Sequence, residues 1–178
     1  TYKGESCNPV IGYAQFEVVD KMYTCIGNAD NSTPFWGAHS DNIKVGPKET
    51  FVSTFTNYTT GAANWNNFVV VLCSSDGATE YAVVRADNYG WGNGYGACTP
   101  SGGQTDWAAW LAAMDGAKVT VYVTNNGDGT ADVKTVMKGT DGNTYKQDYI
   151  GINTVDPDNF YFNFTVDGSH IEFDEVIG

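Results

Sequence analysis

The sequence predicts an all-β fold, a two-sheet antiparallel β-sandwich carrying one short helix. Three observations predict it. Apolar and polar residues alternate in short bursts, the signature of strands with one buried face. Turn-forming residues separate those bursts, and the chain holds 21 glycines among 178 residues. A single stretch has helical rather than strand periodicity.

The first predicted strand is 15–19, followed by 50–56, 67–73 and 80–85. The clearest signal lies at 118–137. Val119, Val121 and Val123 point one way and Thr120, Tyr122 and Thr124 the other, and Asn125-Asn126-Gly127-Asp128-Gly129 then supplies residues tolerant of positive φ, so the pattern predicts a hairpin. Further strands are predicted at 144–149, 159–166 and 169–176. In the first of the closing pair Phe160, Phe162 and Phe164 share one face and form core, Tyr161 faces the other side, and Asp167-Gly168 turns the chain. The helix is predicted over 105–114, capped by Thr105 or Asp106 and stopped by Asp115-Gly116. Trp107, Trp110, Leu111 and Met114 fall at i, i+3, i+4 and i+7, so both tryptophans dock the helix on the sandwich. Some nine strands in one unit need Greek-key crossings to close, which makes the sandwich a jelly roll and residues 1–178 a single domain.

Composition narrows the partners. Twenty-one acidic residues against eight lysines and one arginine give a formal net charge of −12, which disfavours DNA, RNA, anionic membranes and acidic glycans by repulsion. No apolar run approaches the ~18 residues of a membrane span, and no signal-like stretch opens the chain, so it reads as a mature or excised segment of a longer polypeptide with further domains. Cys7, Cys25, Cys73 and Cys98 are even in number without CxxC spacing, which points away from zinc and towards two disulfides in a secreted or cell-surface protein. Four cysteines allow three pairings; proximity favours Cys7 with Cys25 and Cys73 with Cys98, and four free buried thiols are the alternative.

The stretch most suggestive of function runs Arg85-Ala86-Asp87-Asn88-Tyr89-Gly90-Trp91-Gly92-Asn93-Gly94-Tyr95. It reads as a contact loop. Glycines let backbone approach a ligand, flat rings such as Trp91, Tyr89 and Tyr95 stack on the apolar face of a pyranose, and Arg85, Asp87 and Asn88 meet its hydroxyls. Arg85 is the chain's only arginine, and an ion pair with Asp87 that pins the loop is its alternative role. Two further clusters pair tryptophan with short polar donors: Trp36 with His39, and Trp65 with Asn66. Core burial is the alternative for each tryptophan. His39 serves as a hydrogen-bonding loop residue, since the only other histidine is His170 and no metal-ligand spacing joins them.

Signals for catalysis are weaker. No GxSxG elbow or Cys/His context supports a nucleophile. Glu172 and Asp174, at i and i+2 on the last strand, share a face with His170 and sit near the separation a retaining glycosidase needs. No cofactor is required; Asp156, Asp158 and Asp174 offer oxygens to a structural calcium, although no segment matches an EF-hand.

Taken together, the strand pattern, the tryptophan loops and the closing Ile171-Glu172-Phe173-Asp174-Glu175-Val176 resemble the jelly-roll carbohydrate-binding modules of bacterial polysaccharide-degrading systems. The resemblance is architectural and spans most of the chain. It implies non-catalytic binding of a neutral plant or fungal polysaccharide, β-glucan first, through a cleft across a sheet or a loop site at the sandwich tip. A laminarinase-like jelly-roll glycosidase carries a longer acidic signature than this closing strand. A glycosidase or lyase using Glu172 and Asp174 is the second reading, and an extracellular adhesion domain that binds protein is the third.

Overall fold

A computed structural model describes residues 8–9, 14–19, 22–27, 38–39, 42–59, 63–64, 66–87, 90–92, 106–153, 155–166 and 169–175. Within them the chain forms β1 (Asn8–Pro9), β2 (Ala14–Val19), β3 (Met22–Gly27), β4 (Ala38–His39), β5 (Ile43–Lys44), β6 (Thr50–Thr59), β7 (Phe68–Cys73), β8 (Glu80–Arg85) and β9 (Gly90–Gly92). Then follow α1 (Trp107–Met114), β10 (Ala117–Asn125), β11 (Ala131–Lys138), β12 (Thr144–Ile152), β13 (Tyr161–Val166) and β14 (Ser169–Glu175). Every predicted strand is present. The sequence reading passed over β3, the two-residue strands β1, β4 and β5, and β9, which falls inside the predicted contact loop.

The strands make two antiparallel sheets. The first runs β1-β4-β13-β7-β8-β9, with β5 also on β13; the second runs β12-β11-β10-β6-β14-β3-β2. Chain neighbours β6 and β7 lie in different sheets, as do β13 and β14, yet β13 sits beside β7 and β14 beside β6. Consecutive strands thus cross the sandwich side by side, and their inward faces meet.

The core sits between the sheets. Phe51, Phe55, Val119, Val121, Val123, Val133 and Met137 of the second sheet face Val70, Leu72, Val84, Phe162 and Phe164 of the first. Rings meet edge to face across the gap: Phe51 with Phe162 at 5.3 Å between centroids, Phe55 with Phe164 at 5.4 Å and Phe55 with Phe68 at 5.0 Å. Such pairs add about 0.5–1.5 kcal/mol each beyond their area. The predicted phenylalanine face is therefore core.

Each end of the sandwich is closed by sequence-specific chemistry. Asp106 caps α1 by accepting from Ala109 N at 3.1 Å, and Gly116 leaves the helix at φ +101°. Trp110 and Met114 are fully buried, while Trp107 packs edge-on against Trp110 at 5.2 Å. Both tryptophans dock the helix as its periodicity predicts. At the hairpin, buried Asn125 donates to Val45 O and Pro157 O and accepts from Gly127 N, so one amide ties three loops. Gly127 at φ +79° and Gly129 at φ +90° make the turn that the sequence signalled.

Candidate functional site

The site builds from the end of β8. Its last residue, Arg85, enters the turn Ala86-Asp87, and the guanidinium folds back over that turn: Nε donates to Asp87 Oδ1 at 2.8 Å and Nη2 to Asp87 Oδ2. This is a bidentate fork, the arrangement for which a planar guanidinium is preorganised. The Asp87 side chain is 6 % exposed and that of Arg85 20 %. From the facing sheet, buried Gln147 donates its amide to Ala86 O, and the Tyr149 hydroxyl lies 3.4 Å from Arg85 O. The turn is thus held from within its own strand and from across the core. The structure forms the clamp, one of the two roles open to Arg85.

Beyond the turn, the structure corrects the expectation of a continuous loop. Gly90–Gly92 is the strand β9, paired with β8 through Gly90 with Val84, Trp91 with Val83 and Gly92 with Ala82. Glycine weakens strands, so Gly-Trp-Gly reads as loop. An already pinned neighbour supplies the template that the local sequence lacks.

Strand register then assembles residues far apart in sequence. Trp91, Val83, Val71 and Asn163 form one cross-strand row. Arg85, Val69, Thr165, His39 and Asn8 form the next. Directly opposed residues share a face of the sheet. The topology therefore brings three predicted site residues, His39, Arg85 and Trp91, into neighbouring register rows of the first sheet.

The outer face of this sheet is dry at its centre. Val69, Val71, Cys73, Val83 and Thr165 are buried, and buried Asn163 links Thr165 Oγ1, which donates to its Oδ1 at 2.9 Å, to Asn42 Oδ1 at 3.0 Å. Among the described residues, the centre of this face offers no open stacking platform. What remains is its rim, where β9 ends the sheet.

Other predicted site residues fare differently. Asn66 is 2 % exposed, and its Oδ1 accepts from Ala63 N at 3.0 Å. It closes its own turn, and the next amide, Asn67, donates to Asn64 O and accepts from Asn57 Nδ2. Trp36, Trp65, Asn88, Tyr89 and Tyr95 lie outside the described residues, as do Cys7 and Cys98. Cys25 is on β3. Cys73 is a free, buried thiol, so its predicted bridge to Cys98 is not formed. Burial pushes that thiol up to about 12, against the opposing effect of its contact with Asn163.

The carboxylate pair also changes. Glu172 opposes Thr56 and Phe173 opposes Phe55, but the next residue in register with β6 is Glu175, opposite Thr54. Asp174 is the extra residue of a bulge. The regular two-residue alternation assumed for Glu172 and Asp174 is interrupted there. Asp156 accepts from Asp158 N at 3.0 Å within its own turn, and among the described residues no three His, Cys, Asp or Glu side chains converge as metal ligands. No helix among them is long and apolar enough to cross a membrane.

The second sheet contrasts with the first. Its outer face is solvated over β6, β10, β11 and β12, with Tyr58, Tyr122, Val52 and Ile150 each more than a third exposed. No known protein-family model matches this sequence, and no curated protein matches it.

Proposed function

We propose that this chain binds a neutral polysaccharide without cleaving it, with β-glucan as the first ligand class, and serves as the targeting module of a secreted or cell-surface system with further domains. The observation that carries this reading is the placing of Trp91 between two glycines on a three-residue strand at the sheet rim, directly after a turn locked by Arg85, Asp87 and Gln147. Affinity for a sugar ring depends on presenting an aromatic group at small ordering cost, and a clamped rim supplies that order before the ligand arrives. Glycines on both sides leave room for a ring to approach the backbone.

Affinity electrophoresis and calorimetry against a panel of neutral polysaccharides test the proposal. Saturable binding is expected, weakened by about 1–3 kcal/mol in Trp91→Ala, the loss that follows truncation of one large contact aromatic. A folded protein that binds no glycan in the panel ends the proposal. Reducing-sugar release that Glu172→Gln abolishes would replace it with hydrolysis.

A further inference from the structure

The second sheet carries a surface that the net charge conceals. On its outer face three rows of three residues cross β12, β11 and β10: Thr144, Lys138 and Lys118; Lys146, Val136 and Thr120; Asp148, Lys134 and Tyr122. Four of the chain's nine basic residues occupy this grid beside a single aspartate, on a protein whose net formal charge is −12. All four lysines are exposed, as is Tyr122.

We infer that the outer face of the second sheet, where Lys118, Lys134, Lys138 and Lys146 surround Thr120 beside Tyr122, binds a carboxylated polysaccharide. Three arguments lead there. First, Lys118 and Lys138 are directly opposed on neighbouring strands, which sets two ammonium groups in one cross-strand row. Second, lysines often blunt exposed sheet edges, but β10 and β11 are interior strands with neighbours on both sides; only Lys146 sits on an edge strand. Third, because β10 and β11 are fully paired, they offer no free backbone for an added strand, and recognition must come from side-chain tips. Those tips are ammonium groups, threonine hydroxyls and an aromatic ring. A uronate residue presents their complements on one ring: a carboxylate, hydroxyls and an apolar face.

The overall negative charge does not cancel this attraction. Screening limits exposed charges to about 10 Å at 0.1 M salt, so a polyanion laid on the grid meets the four lysines with Asp148 and, one row on, Asp132, rather than the acidic turns at the strand ends. Glu172, across Thr56 from Lys118, marks the patch's border on the β14 side. The surface is separate from the rim at Trp91, which lies on the other sheet.

Affinity electrophoresis through polygalacturonate tests it with four proteins: the wild-type chain, Lys134→Glu/Lys138→Glu/Lys146→Glu, the matching triple glutamine variant, and Trp91→Ala. The three lysines are solvent-exposed, so both triple variants should keep the wild-type melting transition. Wild type should be retarded, about tenfold less at 0.5 M than at 0.05 M NaCl; charge reversal should abolish the retardation, glutamine should weaken it about tenfold, and Trp91→Ala should leave it intact. Retention of a neutral β-glucan should survive in both triple variants. The assignment is overturned if wild type migrates freely, if charge reversal leaves retardation unchanged, if Trp91→Ala removes it equally, or if poly-glutamate competes as well as free oligogalacturonate does.

Discussion

Replacing Asp87 with asparagine should destabilise the fold far more than loss of a surface ion pair. The substitution keeps the shape of the side chain but turns an acceptor towards a donor and leaves the Arg85 charge without its partner. A hydrogen bond to a charged group contributes about 1.5–3 kcal/mol, and removing one member of a buried pair costs about 3–5 kcal/mol. Arg85 retains 20 % exposure while Asp87 has 6 %, so water compensates part of the loss, and about 2–3 kcal/mol is expected. At roughly 2–4 °C per kcal/mol for a domain of this size, the thermal midpoint should fall by about 4–12 °C. Urea unfolding with an unchanged m value would show that stability, rather than denatured-state compactness, has moved. Arg85→Gln with Asp87→Asn removes both charges and should recover at least half of the loss, giving a coupling energy above about 1 kcal/mol in the cycle. A single-variant cost under about 0.5 kcal/mol, or strictly additive singles, would refute the clamp and return Arg85 to the class of exposed ion pairs.

Two further expectations follow from the titrating groups. The Asp76, Asp128 and Asp141 carboxyls are held below their ordinary value of 3.8, by the Ala78 amide and Ser74 hydroxyl, by the hydroxyl and amide of Thr130, and by the Tyr145 hydroxyl with the Asn143 amide, respectively. A group depressed in the folded state stabilises the fold fully above its unfolded value and ceases to do so as pH falls through the folded one. The midpoint temperature should therefore drop as pH falls below about 4, and the triple asparagine variant should show a flatter profile there; parallel profiles would deny these turns any part in acid sensitivity. Cys73, its thiol pushed up to about 12 by burial, should resist iodoacetamide at pH 8 in the native protein and react once urea exposes it. Peptide mass mapping locates the label, and recovery of Cys73 in a disulfide with Cys98 from native protein would contradict the free thiol.

How far the sequence revealed this fold depended on whether each strand had one wet face. The hairpin of β10 and β11 was legible because its outer residues meet water and its inner valines do not, so alternation survives intact. In β7 all six residues, Phe-Val-Val-Val-Leu-Cys, are buried, and no alternation remains to say which face is core. The run predicts a strand without predicting that the first sheet is covered on both sides. β9 was hidden for another reason: its pairing comes from β8 rather than from its own glycine-rich sequence. Asp174 shows the limit of counting by twos, since one bulge reverses every later assignment of face on its strand. At the site, Arg85 and Asp87 are spaced for a clamp and for ligand contact alike, and only the fork geometry separates the two. Asn66 is polar and so reads as exposed, whereas it is buried with its amide oxygen accepting from the Ala63 backbone.

The unequal covering of the two sheets also separates the surfaces open to contact in a way that composition did not. A sheet dry on both faces can offer a ligand only its edges, and a buried amide and hydroxyl seam through Asn42, Asn163 and Thr165 stiffens the strands that hold that edge. A sheet wet on one side can instead use its whole face, and there net charge misleads: −12 averages over acidic turns such as Asp76, Asp128 and Asp141 at the strand ends and four lysines gathered on the outer face. Screening makes the local figure the one a ligand meets. If rim and face act separately, Trp91→Ala and the lysine reversals should combine additively in free energy, since they share neither a sheet nor a partner. Coupling between them above about 0.5 kcal/mol would mean instead that one glycan chain spans both sheets around the end of the sandwich.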